Sequence, residues 1–156
     1  MAQAFRQLEL LLKIEGDKEH GFAQDLQSAQ SFYQANLAKL KEVQNYKLEY
    51  LKQLQQMGAN GLAGGNYQHY QRFIVQLESG IEAQNQAVET AKQVVEQRRS
   101  IWLEQRTKVK AVETLIANKK AKVQHQLDKQ EQNLADEFAN HALYEVVRHA
   151  RQGGAA

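Results

Sequence analysis

Apolar residues recur along this chain at alternating intervals of four and three residues. Starting at Leu8, the series passes through fifteen positions to Met57, and eleven of them are apolar. A second series of seventeen positions, from Tyr67 to Val123, contains thirteen apolar residues. A mean spacing of about 3.5 residues over several heptads is typical of a coiled coil, not of the looser stripe on a globular helix. The pattern therefore predicts two long helices that pack along a shared seam.

One glycine-rich stretch separates the two series. Residues 58–66 contain four glycines and two asparagines, and the 156 residues include no proline that would break a helix elsewhere. Clustered glycines favour a loop at this point. We therefore predict an all-α fold, a two-helix antiparallel coiled-coil hairpin that forms a single unit over residues 1–156. The first helix should span about 4–57, the loop 58–66, the second helix about 67–149, and a frayed C-terminus 150–156.

The two predicted helices differ in length. Folding about the loop places residue i opposite roughly residue 124 − i, so that Phe22 would meet Trp102. From about residue 120 the second helix overhangs the first, and its apolar positions shift to Leu127, Leu134 and Phe138. Because a lone helix is rarely stable without packing, we expect this overhanging C-terminal helix to fray or to dock on another molecule.

Composition argues against an enzyme and against a membrane-spanning or metal-binding protein. The chain has no cysteine, and its five histidines form no pair spaced by four residues. Neither a thiol nucleophile nor a zinc site is therefore predicted. No apolar run approaches the roughly 18 residues of a transmembrane helix, and the first apolar cluster lacks the features of a signal peptide. We expect no catalytic residue, no cofactor and no metal.

Positive charge is concentrated in one segment of a nearly neutral chain. Residues 98–122 contain eight Lys or Arg against two Glu, whereas the whole chain has a formal charge of +2. Such a segment can bind nucleic acid or an acidic protein surface, or it can be the solvated face of a coiled coil. No interleaved aromatic residues or groove-reading motif accompany the charge, so we favour the solvated face and expect no nucleic-acid binding.

Four apolar residues near the predicted loop lie outside the strict seam. They are Tyr46, Leu48, Leu51 and Phe73. Two helices are too thin to bury all of them. The residues either widen the core by imperfect packing or form an exposed patch that serves as a binding hot spot.

Six short sequence elements follow one another in a distinctive order over nearly the whole chain. They are Phe5-Arg-Gln-Leu8, the pair Tyr46 and Tyr50, Met57-Gly58-x-x-Gly61, the run from Tyr70 to Ile81, Ser100-Ile-Trp102, and Asp136-Glu137-Phe138-Ala139. In order and spacing these elements resemble the flagellar FliJ family.

The resemblance implies a soluble, non-enzymatic component of the flagellar type III protein export apparatus. Members of this family look like the central stalk of rotary ATP synthases. They insert in the ring of the export ATPase, promote its assembly, contact the cytoplasmic domain of the membrane export gate and assist the recycling of export chaperones. By this resemblance we expect those three partners, a monomer when the protein is alone, and a cytoplasmic location at the inner face of the plasma membrane at the flagellar base.

The resemblance also implies two sets of binding residues. The export-gate surface corresponds to Val43, Tyr46, Tyr50, Phe73 and Leu77, while Gly80 and Gln84 occupy further positions of that surface but differ from the family pattern. The surface that faces the ATPase ring corresponds to Leu8, Leu12, Arg106, Lys119, Leu127, Leu134 and Phe138.

Two other functions fit the same pattern of residues. The chain could be the stalk of a virulence type III secretion system, which has the same physical requirements. It could also be a generic dimeric coiled-coil adaptor, in which the seam pairs with a second chain. Light scattering separates the adaptor from a self-contained hairpin, because only the hairpin is monomeric.

Overall fold

Two long helices make up the computed structural model, which describes residues 2–59 and 64–154. Helix α1 spans Ala2–Ala59 and helix α2 spans Gly64–Gly153. The prediction of an all-α helical hairpin is therefore confirmed. Strong helix formers such as Ala, Leu, Gln, Glu and Lys dominate both sequences, and packing along the seam adds the stability that long helices need.

The helix ends differ from the predicted ones by a few residues. Helix α1 continues to Ala59 and α2 begins at Gly64, so both helices extend into the predicted loop. The rest of that loop, residues 60–63, lies outside the described residues. At the other end, α2 continues past residue 149 to Gly153, and the backbone N–H of Gly154 donates to the carbonyl of Ala150 at 3.1 Å. Residues 150–153 are therefore helical; 155 and 156 also lie outside the described residues.

Contacts divide the chain into two units. Residues Lys13–Val109 form one, which we call the hairpin unit, and Met1–Leu12 together with Lys110–Ala156 form the other, which we call the terminal unit. Neither described helix contains a stretch long and apolar enough to cross a membrane.

The core of the hairpin unit lies along the predicted seam. Leu26, Ala29 and Val95 form its buried centre, and Ala91, only 2% exposed, is the most buried of the core residues. Alanine at two of these positions leaves room for the helices to approach closely. The half-buried residues packed against the centre are Tyr33, Val94 and Trp102.

Two polar pairs between the helices define the register of the hairpin unit. The Gln84 amide donates to the Asn36 carbonyl at 3.0 Å and to its side-chain oxygen at 3.1 Å. The Gln105 amide donates to the Glu15 carbonyl at 2.9 Å and also to the Glu15 carboxylate.

Both pairs place residue i opposite residue 120 − i. The predicted register, 124 − i, is therefore wrong by about one helical turn. In the observed register Phe22 lies opposite Arg98, and Trp102, its predicted partner, packs against the cluster of Leu26, Ala29 and Val95. The centre of the loop alone does not set the register, because buried polar groups at the seam need hydrogen-bond partners.

The hydrogen bond to Gln105 also affects the titration of Glu15. That bond lowers the pKa of the Glu15 carboxyl below its usual value; partial burial opposes the shift, and Lys18 and Lys108 add to it. The Lys18 ammonium lies 3.7 Å from the carboxylate. Glu15 is therefore held in its charged form at a seam position.

The terminal unit contains the paired helix ends and an uncovered stretch of α2. Ile116 is buried, and half-buried Phe5 of α1 lines an apolar groove with Lys119 and Val123 of α2. From Gln124 to Gly154 every residue except Glu145 is exposed. The uncovered stretch therefore begins about one turn later than predicted. We call residues 127–154 the overhang.

Candidate functional site

Four aromatic side chains form a cluster in the hairpin unit. The Tyr50 ring centroid lies 4.7 Å from that of Phe73 and 5.9 Å from that of Tyr70. Tyr46 approaches Phe73 edge-on, with centroids 6.4 Å apart and an interplanar angle of 75°. These are the separations and angles that aromatic pairs favour. We call Tyr46, Tyr50, Tyr70 and Phe73 the aromatic cluster.

Helical spacing brings the four rings together. Tyr46 and Tyr50 are one turn apart on α1, and Tyr70 and Phe73 are three residues apart on α2, so each pair shares a helix face. Tyr50 and Tyr70 occupy seam positions, whereas Tyr46 and Phe73 lie beside the seam. The cluster is therefore continuous from the core to the surface.

Burial within the cluster resolves the two interpretations of the off-seam residues. Phe73 is half-buried and widens the core, as the first interpretation required. Tyr46 is 54% exposed, and Leu48 and Leu51 are exposed as well. Each interpretation therefore describes part of the set. Phe73 widens the core, whereas Tyr46, Leu48 and Leu51 are exposed beside it.

The polar groups around the cluster carry little net charge. Burial raises the pKa of the Tyr50 hydroxyl, and the neighbouring Tyr70 and Tyr46 add to the shift, so Tyr50 is neutral at physiological pH. Beside it, Lys47 and Glu78 form an ion pair across the two helices at 3.2 Å. The surface is suited to an apolar contact and not to capture of a charged ligand.

Three of the five residues predicted for the export gate belong to this cluster, namely Tyr46, Tyr50 and Phe73. The other two, Val43 and Leu77, are half-buried seam residues that the observed register places opposite each other.

Sequence reasoning missed the fourth ring of the cluster. Tyr70 occupies a seam position three residues before Phe73, and this spacing was a usable signal. Gln84, which departs from the family pattern, donates its side-chain amide hydrogen bonds to Asn36.

Six of the seven residues predicted to face the ATPase ring lie in the terminal unit. Leu8 and Leu12 are half-buried on α1, and Lys119 lines the apolar groove beside Phe5. The three residues of the overhang are exposed, and Phe138 is the most exposed of them at 77%. These three are Leu127, Leu134 and Phe138.

Arg106 lies apart from this set. It belongs to the hairpin unit, where its guanidinium lies 5.4 Å from the centroid of the Trp102 ring. This distance is typical of a cation–π contact, which holds the arginine against its own helix.

Metal-ligating side chains do not cluster in the part of the chain that the structure describes. Within residues 2–59 and 64–154, no group of three or more His, Cys, Asp or Glu side chains is placed to hold a metal ion. The arrangement that the structure does provide is a pair of apolar surfaces, the aromatic cluster and the overhang.

Comparison with known proteins identifies the family. A family model described as "Flagellar FliJ protein" matches residues 4–147, which include the aromatic cluster and most of the overhang. Neither the curated proteins nor the solved structures gave a match. Because the family match covers nearly the whole chain, the protein belongs to the flagellar FliJ family, whose members are components of flagellar-type protein export.

Proposed function

We propose that this protein is a non-enzymatic stalk of the flagellar type III export apparatus. It inserts in the ring of the export ATPase, promotes ring assembly and links the ring to the cytoplasmic domain of the export gate. It also assists the recycling of export chaperones, and it acts in the cytoplasm at the inner face of the plasma membrane. The observation that carries this proposal is the aromatic cluster of the hairpin unit.

The aromatic cluster has the properties of a binding hot spot for the gate. Tyrosine is enriched at hot spots because its large ring loses little conformational entropy on binding. Tyr46 is largely exposed, yet its ring rests against Phe73, which in turn packs on Tyr50. The exposed ring is therefore held in place before a partner arrives, which reduces the cost of binding.

The overhang supports the second contact, with the ATPase ring. Leu127, Leu134 and Phe138 expose apolar surface on a helix that is otherwise solvated. Burial of such residues stabilises a complex by roughly 25 cal/mol for each Å² of apolar surface removed from water. Docking would therefore stabilise both the complex and the helix itself.

Two observations favour this function over its alternatives. The matching family is flagellar, which supports the flagellar system over a virulence one. The seam of the hairpin unit already satisfies its polar groups within one chain, through Gln84 with Asn36 and Gln105 with Glu15. An adaptor that used the same seam for a second chain would have to break both pairs within the chain and form them again between two chains.

Alanine substitution of Tyr46 and Phe73 tests the gate contact. We expect Tyr46→Ala and Phe73→Ala each to weaken binding of the purified gate domain by roughly 30-fold, which corresponds to a hot-spot loss of about 2 kcal/mol. Stimulation of the ATPase and the helical circular dichroism should remain unchanged. The measurement is isothermal titration calorimetry with the gate domain.

Phe32 provides the matched control, because it is an aromatic residue of α1 that is 64% exposed outside the cluster. Phe32→Ala should bind the gate domain as the native protein does. Equal losses for Phe32→Ala and Tyr46→Ala would contradict the assigned surface. Loss of helix in the cluster variants would show that these residues act only in the core.

A further inference from the structure

The paired helix ends of the terminal unit have an apolar groove on one side of their contact. Phe5 of α1 and Val123 of α2 are half-buried and form its apolar wall, while Lys119 and Lys122 at its edge are exposed. We call this the terminal groove. It is lined by Ala4, Phe5, Lys119, Lys122, Val123 and Gln126.

Two exposed leucines continue the apolar surface on the same side. Leu11 follows Ala4 by seven residues on α1, and Leu115 precedes Lys122 by seven residues on α2. Seven residues are two helical turns, so each leucine lies on the same helix face as its counterpart, about 10 Å along the axis. Leu11 is 40% exposed and Leu115 is 45% exposed. An apolar strip therefore leads away from the terminal groove.

The acidic residues of the paired helix ends lie on the other side. Residues 2–12 and 110–126 contain only two carboxylates, those of Glu9 and Glu113. Glu9 lines a second groove together with Lys120, on the opposite side of Phe5 and Val123. Glu113 precedes Lys120 by seven residues and so lies on that same face of α2. The terminal groove is therefore the basic side, and the second groove is the mixed side.

We propose that the terminal groove binds an acidic amphipathic helix of another protein. A large apolar side chain of that helix fills the groove beside Phe5, and its other apolar residues lie on Leu11 and Leu115. Carboxylates at one end of the helix meet Lys119 and Lys122. Amphipathic helices commonly bind in grooves between two helices, and complementary charge selects among them.

The shape of the site favours a protein segment over a lipid surface. An anionic bilayer would also attract Lys119 and Lys122. A groove between two helices, however, takes up a single protruding side chain, which a flat headgroup surface does not offer. The lysines alone would fit the solvated face expected for residues 98–122. The apolar groove that they border is what distinguishes them from such a face.

The proposal rests on the proposed function for the source of the helix, which we take to be the export ATPase. Lys119 is one of the residues expected to face the ATPase ring, and the overhang belongs to the same terminal unit. The overhang provides only apolar contact through its three ring-facing residues. The terminal groove adds a contact that depends on charge.

Charge reversal on the two sides of the seam tests the assigned face. The measurement is binding of the full chain to the purified export ATPase by biolayer interferometry. Lys119→Glu and Lys122→Glu should each weaken binding by about tenfold, because each turns an attraction for a carboxylate into a repulsion. The matched control Lys120→Glu makes the same change of charge on the side of Glu9 and should weaken binding by less than about twofold.

The outcomes separate this inference from the proposed function. Equal losses in Lys119→Glu and Lys120→Glu would show that net charge alone matters and would overturn the terminal groove as the site. Native binding that none of the lysine variants changes would also overturn it, while the proposed function would stand. A native protein that does not bind the ATPase would overturn both.

Filling the groove tests its apolar part. Ala4→Trp places a large ring in the terminal groove and should weaken ATPase binding by about tenfold, whereas Gln3→Trp places the same ring on an exposed position of α1. Both variants should keep the helical circular dichroism of the native protein. If Ala4→Trp binds the ATPase as Gln3→Trp does, the partner does not enter the groove.

Sedimentation with vesicles tests the lipid alternative. Lys119→Glu and Lys120→Glu should sediment equally with vesicles of phosphatidylglycerol and phosphatidylcholine, because they have the same net charge. Co-sedimentation that is lost in Lys119→Glu and kept in Lys120→Glu would assign the basic edge of the terminal groove to a bilayer and would overturn the proposal.

Discussion

A proline at Val95 tests whether α2 must be continuous between the two proposed contacts. Helix α2 runs from Gly64 to Gly153 without a break, and Val95 is 7% exposed in the core of the hairpin unit. Proline there removes one backbone hydrogen bond and drives its ring against the carbonyl of Ala91. Ala91 is itself 2% exposed, so the surrounding core leaves little room for a bend.

The expected loss of stability in Val95→Pro has two parts, one from the backbone and one from packing in the core. Proline in a helix interior costs about 3 kcal/mol, and the poorer fit of its ring in the core adds about 1 kcal/mol. Val95→Ala keeps the backbone intact and removes two methyl groups, which costs about 2 kcal/mol including the cavity. Since domains of this size are stable by only about 5–15 kcal/mol, Val95→Pro should open the helix locally at this turn.

Two measurements decide the outcome. Urea unfolding followed by circular dichroism should show a larger loss of stability for Val95→Pro than for Val95→Ala. Immobilised gate domain should capture the export ATPase through Val95→Ala, but not through Val95→Pro, although each Val95→Pro contact persists when it is tested singly. If Val95→Pro bridges the two partners as well as Val95→Ala does, helix continuity is not what couples them.

Two further predictions concern the hairpin unit. Leu26→Ala should lower the free energy of unfolding by about 2–5 kcal/mol in urea titrations, because Leu26 lies in the buried cluster. The control Leu48→Ala, at an exposed leucine of the same helix, should change it by less than about 0.5 kcal/mol. The lowered pKa of Glu15 contributes stability that is complete above its ordinary value of 4.5 and is lost as the pH falls through the lower folded-state pKa. The melting temperature should therefore drop in that acidic range, and Gln105→Leu should reduce the drop; an unchanged acid profile in Gln105→Leu would contradict the assigned cause.

The seam was predictable from the sequence because its period is a property of the helix itself. Of the fifteen seam positions predicted on α1, only Met57 is exposed; on α2 the exposed ones are Tyr67, Arg98 and Lys119. Two of these three, Arg98 and Lys119, are basic side chains that extend into water. At both positions the residue is not apolar, so the sequence itself indicated that it would not be buried.

The register of the two helices and the candidate site were harder to predict from the sequence. Spacing along one helix does not show how far the other helix is shifted, and here the shift is fixed by the amides of Gln84 and Gln105. The aromatic cluster depends on the same shift, because Tyr70 reaches Tyr50 only in the observed register. In the predicted register Tyr50 would instead lie opposite Ile74.

Polar residues at the seam explain how this hairpin selects one register among several. Most seam positions are apolar, and a shift of seven residues would again place apolar side chains opposite one another. Such a shift would leave the amide of Gln105, a residue only 4% exposed, without the Glu15 carbonyl that it now bonds. An unsatisfied buried polar group costs about 1–3 kcal/mol, so the shifted alignment is less stable by about that amount. Polar residues at the seam therefore reduce its apolar burial but favour a single alignment. That alignment places Tyr50 against Tyr70 and Phe73 in the aromatic cluster.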